Sequence, residues 1–387
     1  MRAHSALSRL EDSAAAGAAL GRDIRQALDG DAPDVVVVFA SSQHDYSLLL
    51  AALEAESGCS LLVGSSSAGE FTQQLLGTGW ASALALSAKD MIFSLGIGHS
   101  VKNNPAGAAR SVVNSFAGLR GRPLPHRAAL VMTDALAGHA EQLVEELTVL
   151  TGGSHGFFGG GAGDDGRFSL THVFAGTQAF TDAVVALEIQ SMNPIGIGVS
   201  HGWVPASTGL RVTEAEGARL ISLNGMPTLQ AFQDHAEATG QTLKLDDPLP
   251  FMLHNVLGIE SAGQYRLRVP LGVLEDGSVL CAAEVPVGSV VHIMKTTNLS
   301  AVQAAEQAAR AARAALGNRL PKAALVFDCV ATRLRLGAAF DDELKACVKV
   351  LEPATFSGCN TYGQIARAEG QFGGFHNCTA VVCVFPE

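Results

Sequence analysis

Apolar residues recur along the chain in three similar arrangements. Each opens with a continuous apolar run, Asp34 to Ala40, Arg127 to Met132 and Lys322 to Phe327. Runs this dense do not alternate, so they predict strands buried on both faces. A helical stretch follows each, and then a second short apolar run enters a turn of small residues. The three turns are Gly64-Ser65-Ser66-Ser67-Ala68-Gly69-Glu70, Gly156-Phe157-Phe158-Gly159-Gly160-Gly161-Ala162-Gly163-Asp164-Asp165-Gly166 and Gly358-Cys359-Asn360-Thr361-Tyr362-Gly363-Gln364. In each, a glycine is followed at once by an acid or amide: Glu70, Asp164 or Gln364. One more strand-like run comes after each turn: Ala81 to Leu86, Ala183 to Ile189 and Ala380 to Phe385. The order of elements recurs together with the composition, which predicts three divergent copies of one β-α-β-turn-β unit.

Between these landmarks the spacing predicts further elements. Leu20, Ile24, Ala27 and Leu28 share one helical face, giving an opening amphipathic helix that ends near Gly30. Tyr46 to Glu56 reads as a helix, Met91 to Ile97 as a strand after a Lys89-Asp90 turn, and Ala106 to Leu119 as a helix before the Gly/Pro link at Gly121, Pro123 and Pro125. Leu143, Leu147 and Leu150 face inward from a helix whose glutamates face out. From Ile195 to about Val287 the period changes. Ile195, Ile197 and Val199 alternate with small residues, Asn224-Gly225 marks a turn before a helix from Thr228 to Ala238, and Leu271 to Leu274 with Val279 to Ala283 reads as a hairpin. This stretch predicts a mostly antiparallel insertion. Ser300-Ala301-Val302-Gln303 has capping-box form ahead of an Ala-rich helix to Leu316, and Phe340, Leu344, Cys347, Val348 and Leu351 share one face of another. The fold class expected is therefore α/β, three units in layered sheets with helices, plus the β-rich insertion.

The chain has 387 residues, enough for two or three domains. Its formal net charge is −11 and it has no Lys/Arg cluster, which argues against nucleic acid or an anionic membrane surface as partner. No apolar run approaches the roughly 20 residues that span a bilayer. Glu11 and Asp12 interrupt the Ala-rich N-terminal stretch that would otherwise suggest a signal peptide. Seven cysteines without framework spacing fit a reducing compartment, so the expected location is cytoplasmic.

Val63 to Phe71, Gly156 to Phe168, His201-Gly202-Trp203-Val204-Pro205, Val212 to Gly217, Phe356 to Ile365 and Phe375-His376-Asn377-Cys378-Thr379 together resemble the FIST proteins, in order and over nearly the whole chain. The resemblance implies an N-terminal FIST domain over 1–200, made of two units, and a C-terminal one over 201–387, with a β-rich part at 201–290 and the third unit at 291–387. It implies a non-catalytic bacterial sensory protein for a small ligand. Some free-standing members are haem-bearing nitric-oxide sensors acting on a histidine kinase or a cyclic-di-GMP enzyme. Amino acids or amines, without haem, are the alternative ligand class. With no fused kinase, cyclase or receiver segment, the signal would pass to a separate partner. Gln364 stands where many members carry Glu, which puts a carboxylate role there in doubt. No Cys-x-x-Cys-His is present, so a haem would need a lone axial ligand.

The candidate ligand contacts are Gly160, Gly161, Asp164, Asp165, His201, Trp203, Arg333, Tyr362, His376 and Asn377. The Gly-rich turn could present backbone N–H groups to an anion, or serve only as a tight turn. Asp164 and Asp165 would repel a phosphate and accept an ammonium or guanidinium group, which favours an amino-acid or amine ligand over a nucleotide. His201, His254, His292 and His376 are the candidates for one haem axial position, and for His201 and His376 a hydrogen-bonded structural histidine is the reading favoured over a ligand. Arg333 and Arg335 follow a buried strand, where a strand's carboxyl end presents ligand contacts, or are surface charges. A hydrolase reading would use Ser66, in a sequence one residue away from a nucleophile elbow. Ala68 in place of a glycine and the repetition of the turn weaken it.

Overall fold

In the computed structural model, which describes residues 1–261, 263–368 and 373–387, the three units are built alike. The first contains strand β1 (Arg2–Ser8), helix α1 (Ser13–Ala27), β2 (Val35–Ser41), α2 (Tyr46–Ser57), β3 (Leu62–Ser67), the hairpin β4 (Glu70–Thr72) and β5 (Leu76–Gly77), and β6 (Ala81–Ser87). The second runs β7 (Met91–His99), α3 (Pro105–Val113), β8 (His126–Thr133), α4 (Ala140–Leu150), β9 (Gly156–Gly161), the hairpin β10 (Val173–Ala175) and β11 (Gln178–Phe180), and β12 (Ala183–Ser191). The third starts at β13 (Gly196–Ser200). It then makes an excursion through strands β14 to β22 between Val204 and Lys295, which also carries α5 (Thr228–Thr239) and α6 (Leu249–Met252). It resumes with α7 (Asn298–Ala314), β23 (Pro321–Cys329), α8 (Val330–Leu336), α9 (Phe340–Leu351), β24 (Thr355–Thr361), the hairpin β25 (Gln364–Arg367) and β26 (Gly374–His376), and β27 (Ala380–Pro386).

The repeat is thus longer than its sequence signature, with a leading strand and helix before each core strand and a short hairpin after each glycine turn. The hairpins are exchanged. The three six-stranded sheets have the orders β1-β6-β2-β3-β10-β11, β26-β25-β9-β8-β12-β7 and β13-β27-β23-β24-β4-β5. The first unit's hairpin completes the third unit's sheet (Cys359 opposite Glu70), the second's completes the first (Ser65 opposite Val173), and the third's completes the second (Gly160 opposite Gln364). Each unit is closed by a neighbour, in a cycle.

This arrangement accounts for the dense apolar runs. Val35, Val37 and Phe39 point into a central core shared with Leu130, Leu187, Leu325 and Val381 from the other sheets. Val36, Val38 and Ala40 point outward against Leu20, Ile24, Leu49 and Leu53 of α1 and α2. Both faces of every core strand are covered, so neither can be polar. In the second and third sheets the leading strand lies directly under its helix. A Cβ on Gly98 would come within 2.2 Å of the Ala108 carbonyl oxygen, and one on Gly198 within 1.9 Å of that of Ala308. Gly196–Ser200, which the alternation places in the β-rich stretch, instead pairs with β27 in the third sheet.

The excursion folds as one antiparallel nine-stranded sheet with its own core around Phe232, Met252, Leu257 and Ile293. Asn224 and Gly225 both take positive φ in its predicted turn. An arginine joins it to the second and third units. Arg268, 1% exposed, bonds to Glu141 of α4 (2.9 Å) and to the carbonyl oxygens of Phe375 and Glu284. Elsewhere the expectations shift by a few residues. The N-cap of α7 is Thr297, whose hydroxyl accepts from the Ser300 N–H, rather than Ser300. No helix among the described residues is long and apolar enough to cross a membrane.

Candidate functional site at the three-turn junction

Strand pairing brings the three glycine turns together, and backbone hydrogen bonds tie them into a closed ring. The Ala68 N–H donates to the Asn360 carbonyl (2.9 Å) and the Asn360 N–H to that of Gly69 (2.8 Å). The Gly161 N–H donates to the Gly363 carbonyl and the Tyr362 N–H to that of Gly161, both at 2.9 Å. The Gly163 N–H donates to the Ser66 carbonyl (3.0 Å) and the Asp165 N–H to that of Ser67 (3.1 Å), which completes the circuit. The amides of Gly161, Gly163 and Asp165 thus face backbone oxygens.

The acid or amide after each glycine secures its own unit. Glu70, fully buried, accepts from the Ser67 hydroxyl and the Trp80 N–H (3.0 Å). Gln364 occupies the equivalent place, and its amide bridges Thr361 and Thr379. Burial raises the Glu70 carboxyl to about 8 against the bonds from Ser67 and Trp80, so near neutral pH it resembles the amide of Gln364. Asp164 departs from the pattern, accepting from the N–H groups of Phe168, Ser169 and Leu170 and from the Tyr362 hydroxyl. Burial opposes its ionisation, but the bonds from Tyr362 and these amides win and hold the carboxyl below its usual range.

Asp165 and Arg333 are different, since neither is fully committed to the fold. Asp165 sits at φ 58°, a conformation rare for a non-glycine residue. Its Oδ2 accepts from the Ser41 hydroxyl and the Ser42 N–H, both at 2.8 Å, and from the Ser42 hydroxyl, while its buried Oδ1 has no partner among the described residues. Arg333, on α8, bonds among the described residues through Nη1 alone, which donates to the Ala68 and Gly77 carbonyls and to Asn360 Oδ1, each at 3.2 Å. Only glycine fits at position 69 beside it, because a Cβ there would fall 1.5 Å from Nη1. Asp165 and Glu70 both act electrostatically on Arg333, yet no ion pair joins them among the described residues. Around them stand Asn360, whose buried Nδ2 lacks a partner among the described residues, and His44, held mainly neutral by burial against the field of Asp165.

The junction therefore gathers Gly160, Gly161, Asp164, Asp165, Arg333 and Tyr362 from the sequence candidates. It adds Ser41, Ser42, His44, Glu70 and Asn360, which motif reading did not select. Their signal lay in the repeat: Ser41, Thr133 and Cys329 pair with Ser67, Gly161 and Thr361 as one small polar position at the end of each core strand. Ser66 donates to the His172 carbonyl and accepts from the His172 backbone N–H, and among the described residues no histidine ring is bonded to its hydroxyl.

The remaining candidates lie elsewhere. His201 and Trp203 line a pinched cavity of about 10 Å³, room for about one water, with Asp328, Thr332, Glu343 and Cys378. Burial raises both carboxyls there, Glu343 to about 7 and Asp328 well above its usual range, and Arg335 lies over the Trp203 ring at 5.7 Å. His376 and Asn377 are buried, and Asn377 Oδ1 accepts from the Val269 N–H (3.4 Å). A haem needs an open axial nitrogen beside a cavity far larger than one water. His201 has Nε2 on the Tyr265 carbonyl (2.9 Å) and Nδ1 on the Trp203 N–H (3.3 Å), and His292 has its ring nitrogens on Ser207 and Glu260. His254 is exposed. As arranged, His201 and His292 do not fit an axial role. No group of three or more His, Cys, Asp or Glu side chains among the described residues is placed to hold a metal ion.

Residues 34–226 match the FIST N domain and residues 228–367 match the FIST C domain. Comparison with curated proteins gave no match. Among solved structures the chain is similar to one titled "Cyanuric acid hydrolase: evolutionary innovation by structural concatenation", at 12% identity over 100% of this chain and 99% of that one, with a TM-score of 0.33. At that score the likeness carries no argument about chemistry.

Proposed function

The chain belongs to the FIST family of sensory signalling domains, and from that premise we propose that it senses a small zwitterion, an amino acid or a close derivative, held at the three-turn junction. The observation that carries this reading is the guanidinium of Arg333, paired with no carboxylate among the described residues, within the field of Asp165, whose buried Oδ1 has no partner among them. A ligand carboxylate on the free Nη2 and Nε of Arg333 and a ligand ammonium on Asp165 Oδ1 would satisfy both. Because the two residues come from different units, the ligand would bridge units and favour one arrangement of the ring, which is how binding becomes a signal. The signal would pass to a separate partner, a histidine kinase or a cyclic-di-GMP enzyme.

A thermal-shift screen of the common amino acids and simple amines tests this. At least one amino acid should raise the melting temperature in a concentration-dependent way, since a ligand binding only the folded state stabilises it by mass action. No shift with any of them overturns the proposal. Protein from haem-supplemented cells should be colourless in the Soret region. A stoichiometric Soret band that shifts with nitric oxide would return the reading to haem.

A further inference from the structure

The junction gathers the C-terminal ends of β8 and β9, where Thr133 lies opposite Gly161. The N-terminal ends of the same strands, at Arg127 and Gly156, border a cleft of about 1270 Å³ that α4, the link before β13 and the end of β25 also line. The length of β9, Gly156–Gly161, separates the two places, roughly 17 Å. We propose that this cleft binds a small polyanion, a phosphate or polycarboxylate compound, between Arg127 and Arg367.

The two arginines share one face of the second sheet. Arg367 lies directly opposite Phe157 on β9, and Arg127 stands on β8 two residues before Ala129, which pairs with Phe157. In the order β25-β9-β8 they are two strands apart, about 10 Å across the sheet. At that spacing two long side chains can converge on one ligand that carries two or more negative charges. The fold leaves their charge uncompensated. Arg127 donates through Nη1 to the Gly118 carbonyl (3.2 Å), and its buried Nε has no partner among the described residues. Arg367 donates through Nη1 to the carbonyls of Gly153 (3.4 Å) and His155 (3.0 Å), covering oxygens that would otherwise repel an anion. Neither arginine forms an ion pair among the described residues.

The acids of the cleft do not cancel this charge. Among the described residues that line it, Arg127, Arg266 and Arg367 stand against Glu141 and Glu145. Glu141 is already paired with Arg266 (2.5 Å) and with Arg268 behind it (2.9 Å), and Glu145 is exposed to solvent. In a chain of net charge −11 a cleft of this sign is set against the overall field and draws an anion locally. The buried His155 has Nε2 on Glu188 (2.8 Å) and Nδ1 on the Ser154 hydroxyl (3.0 Å), which fixes the turn whose carbonyls Arg367 covers. The arginines are far apart in sequence, so only the fold assembles them.

Pyrophosphate and citrate, with acetate as the singly charged control, are titrated calorimetrically into the full chain at low ionic strength. At least one of the two polyanions should bind at one site per chain, more tightly than acetate by about tenfold or more, and weaken as salt is added. Arg127→Gln and Arg367→Gln should each weaken that binding about tenfold, and Arg127→Lys and Arg367→Lys, which keep the charge, should weaken it less. Binding of pyrophosphate alone or citrate alone supports the site and identifies its head group. The proposal does not rest on the zwitterion reading, which other ligands and other variants test. No saturable binding of either polyanion by the wild type overturns it, as does binding that both glutamine variants leave unchanged. Loss of binding in Arg333→Gln, with both cleft variants unaffected, would place the anion at the junction and overturn it too.

Discussion

The Tyr362 hydroxyl is hydrogen-bonded to the Asp164 carboxylate, 198 residues away in sequence, and accepts from the Gly166 N–H at 2.8 Å. Tyr362 also stacks on Phe168, with ring centroids 4.4 Å apart. One side chain of the third turn thus holds the second turn closed. Tyr362→Phe keeps the stack and removes the hydroxyl, leaving the Gly166 N–H without its acceptor and Asp164 with one fewer donor. Unfolding in urea should show a loss of about 1–3 kcal/mol. Because Asp164 is held below its usual range, its contribution is present above the unfolded-state value and lost as pH falls through the folded one, so the deficit of the variant should shrink in acid.

Glu70 behaves in the opposite sense. Its carboxyl is raised from 4.5 to about 8, so the folded state holds a proton that the unfolded state releases between those values. Stability should fall as pH rises from about 4.5 to 8 and level off above. Glu70→Gln keeps the shape and removes the titration. The variant should equal or exceed the wild type at pH 8–9, by roughly 2–4 kcal/mol at most, with the advantage vanishing below pH 5. Denaturation midpoints across that range check it.

Glu141 compensates Arg268 at the joint between α4 and the nine-stranded region, and it also pairs with Arg266 (2.5 Å). Glu141→Ala leaves a buried guanidinium without its counter-charge, which costs about 3–5 kcal/mol in comparable settings. Glu141→Gln, which can still accept a hydrogen bond, should cost less. Thermal unfolding of the two variants separates charge from hydrogen bonding.

The three-unit plan was legible because its core strands are buried on both faces and its turns share a glycine followed by an acid or amide. The leading strands were harder to read. Arg2–Ser8 is short and mixed, and Gly196–Ser200 alternates like a half-exposed strand although it lies beneath α7. The exchange of hairpins leaves no local mark, because three-residue segments such as Val173–Ala175 owe their pairing to a partner elsewhere in the chain. For the same reason the junction was only half visible. Asp164, Asp165 and Tyr362 lie in the turns themselves, whereas Ser41 and Ser42 become contacts of Asp165 only when strand β2 is brought to it. Nothing in the sequence distinguished Arg333, bonded into the ring, from Arg335, which lies over Trp203.

The most direct test is a calorimetric titration of the most stabilising amino acid, and of its decarboxylated amine, into the wild type, Arg333→Gln and Asp165→Asn. A zwitterion bridging the two residues predicts that Asp165→Asn weakens both ligands at least tenfold, about 1.4 kcal/mol. Arg333→Gln should weaken the amino acid to the same degree and leave the amine unchanged. Amino-acid binding unaltered by both substitutions would contradict the account.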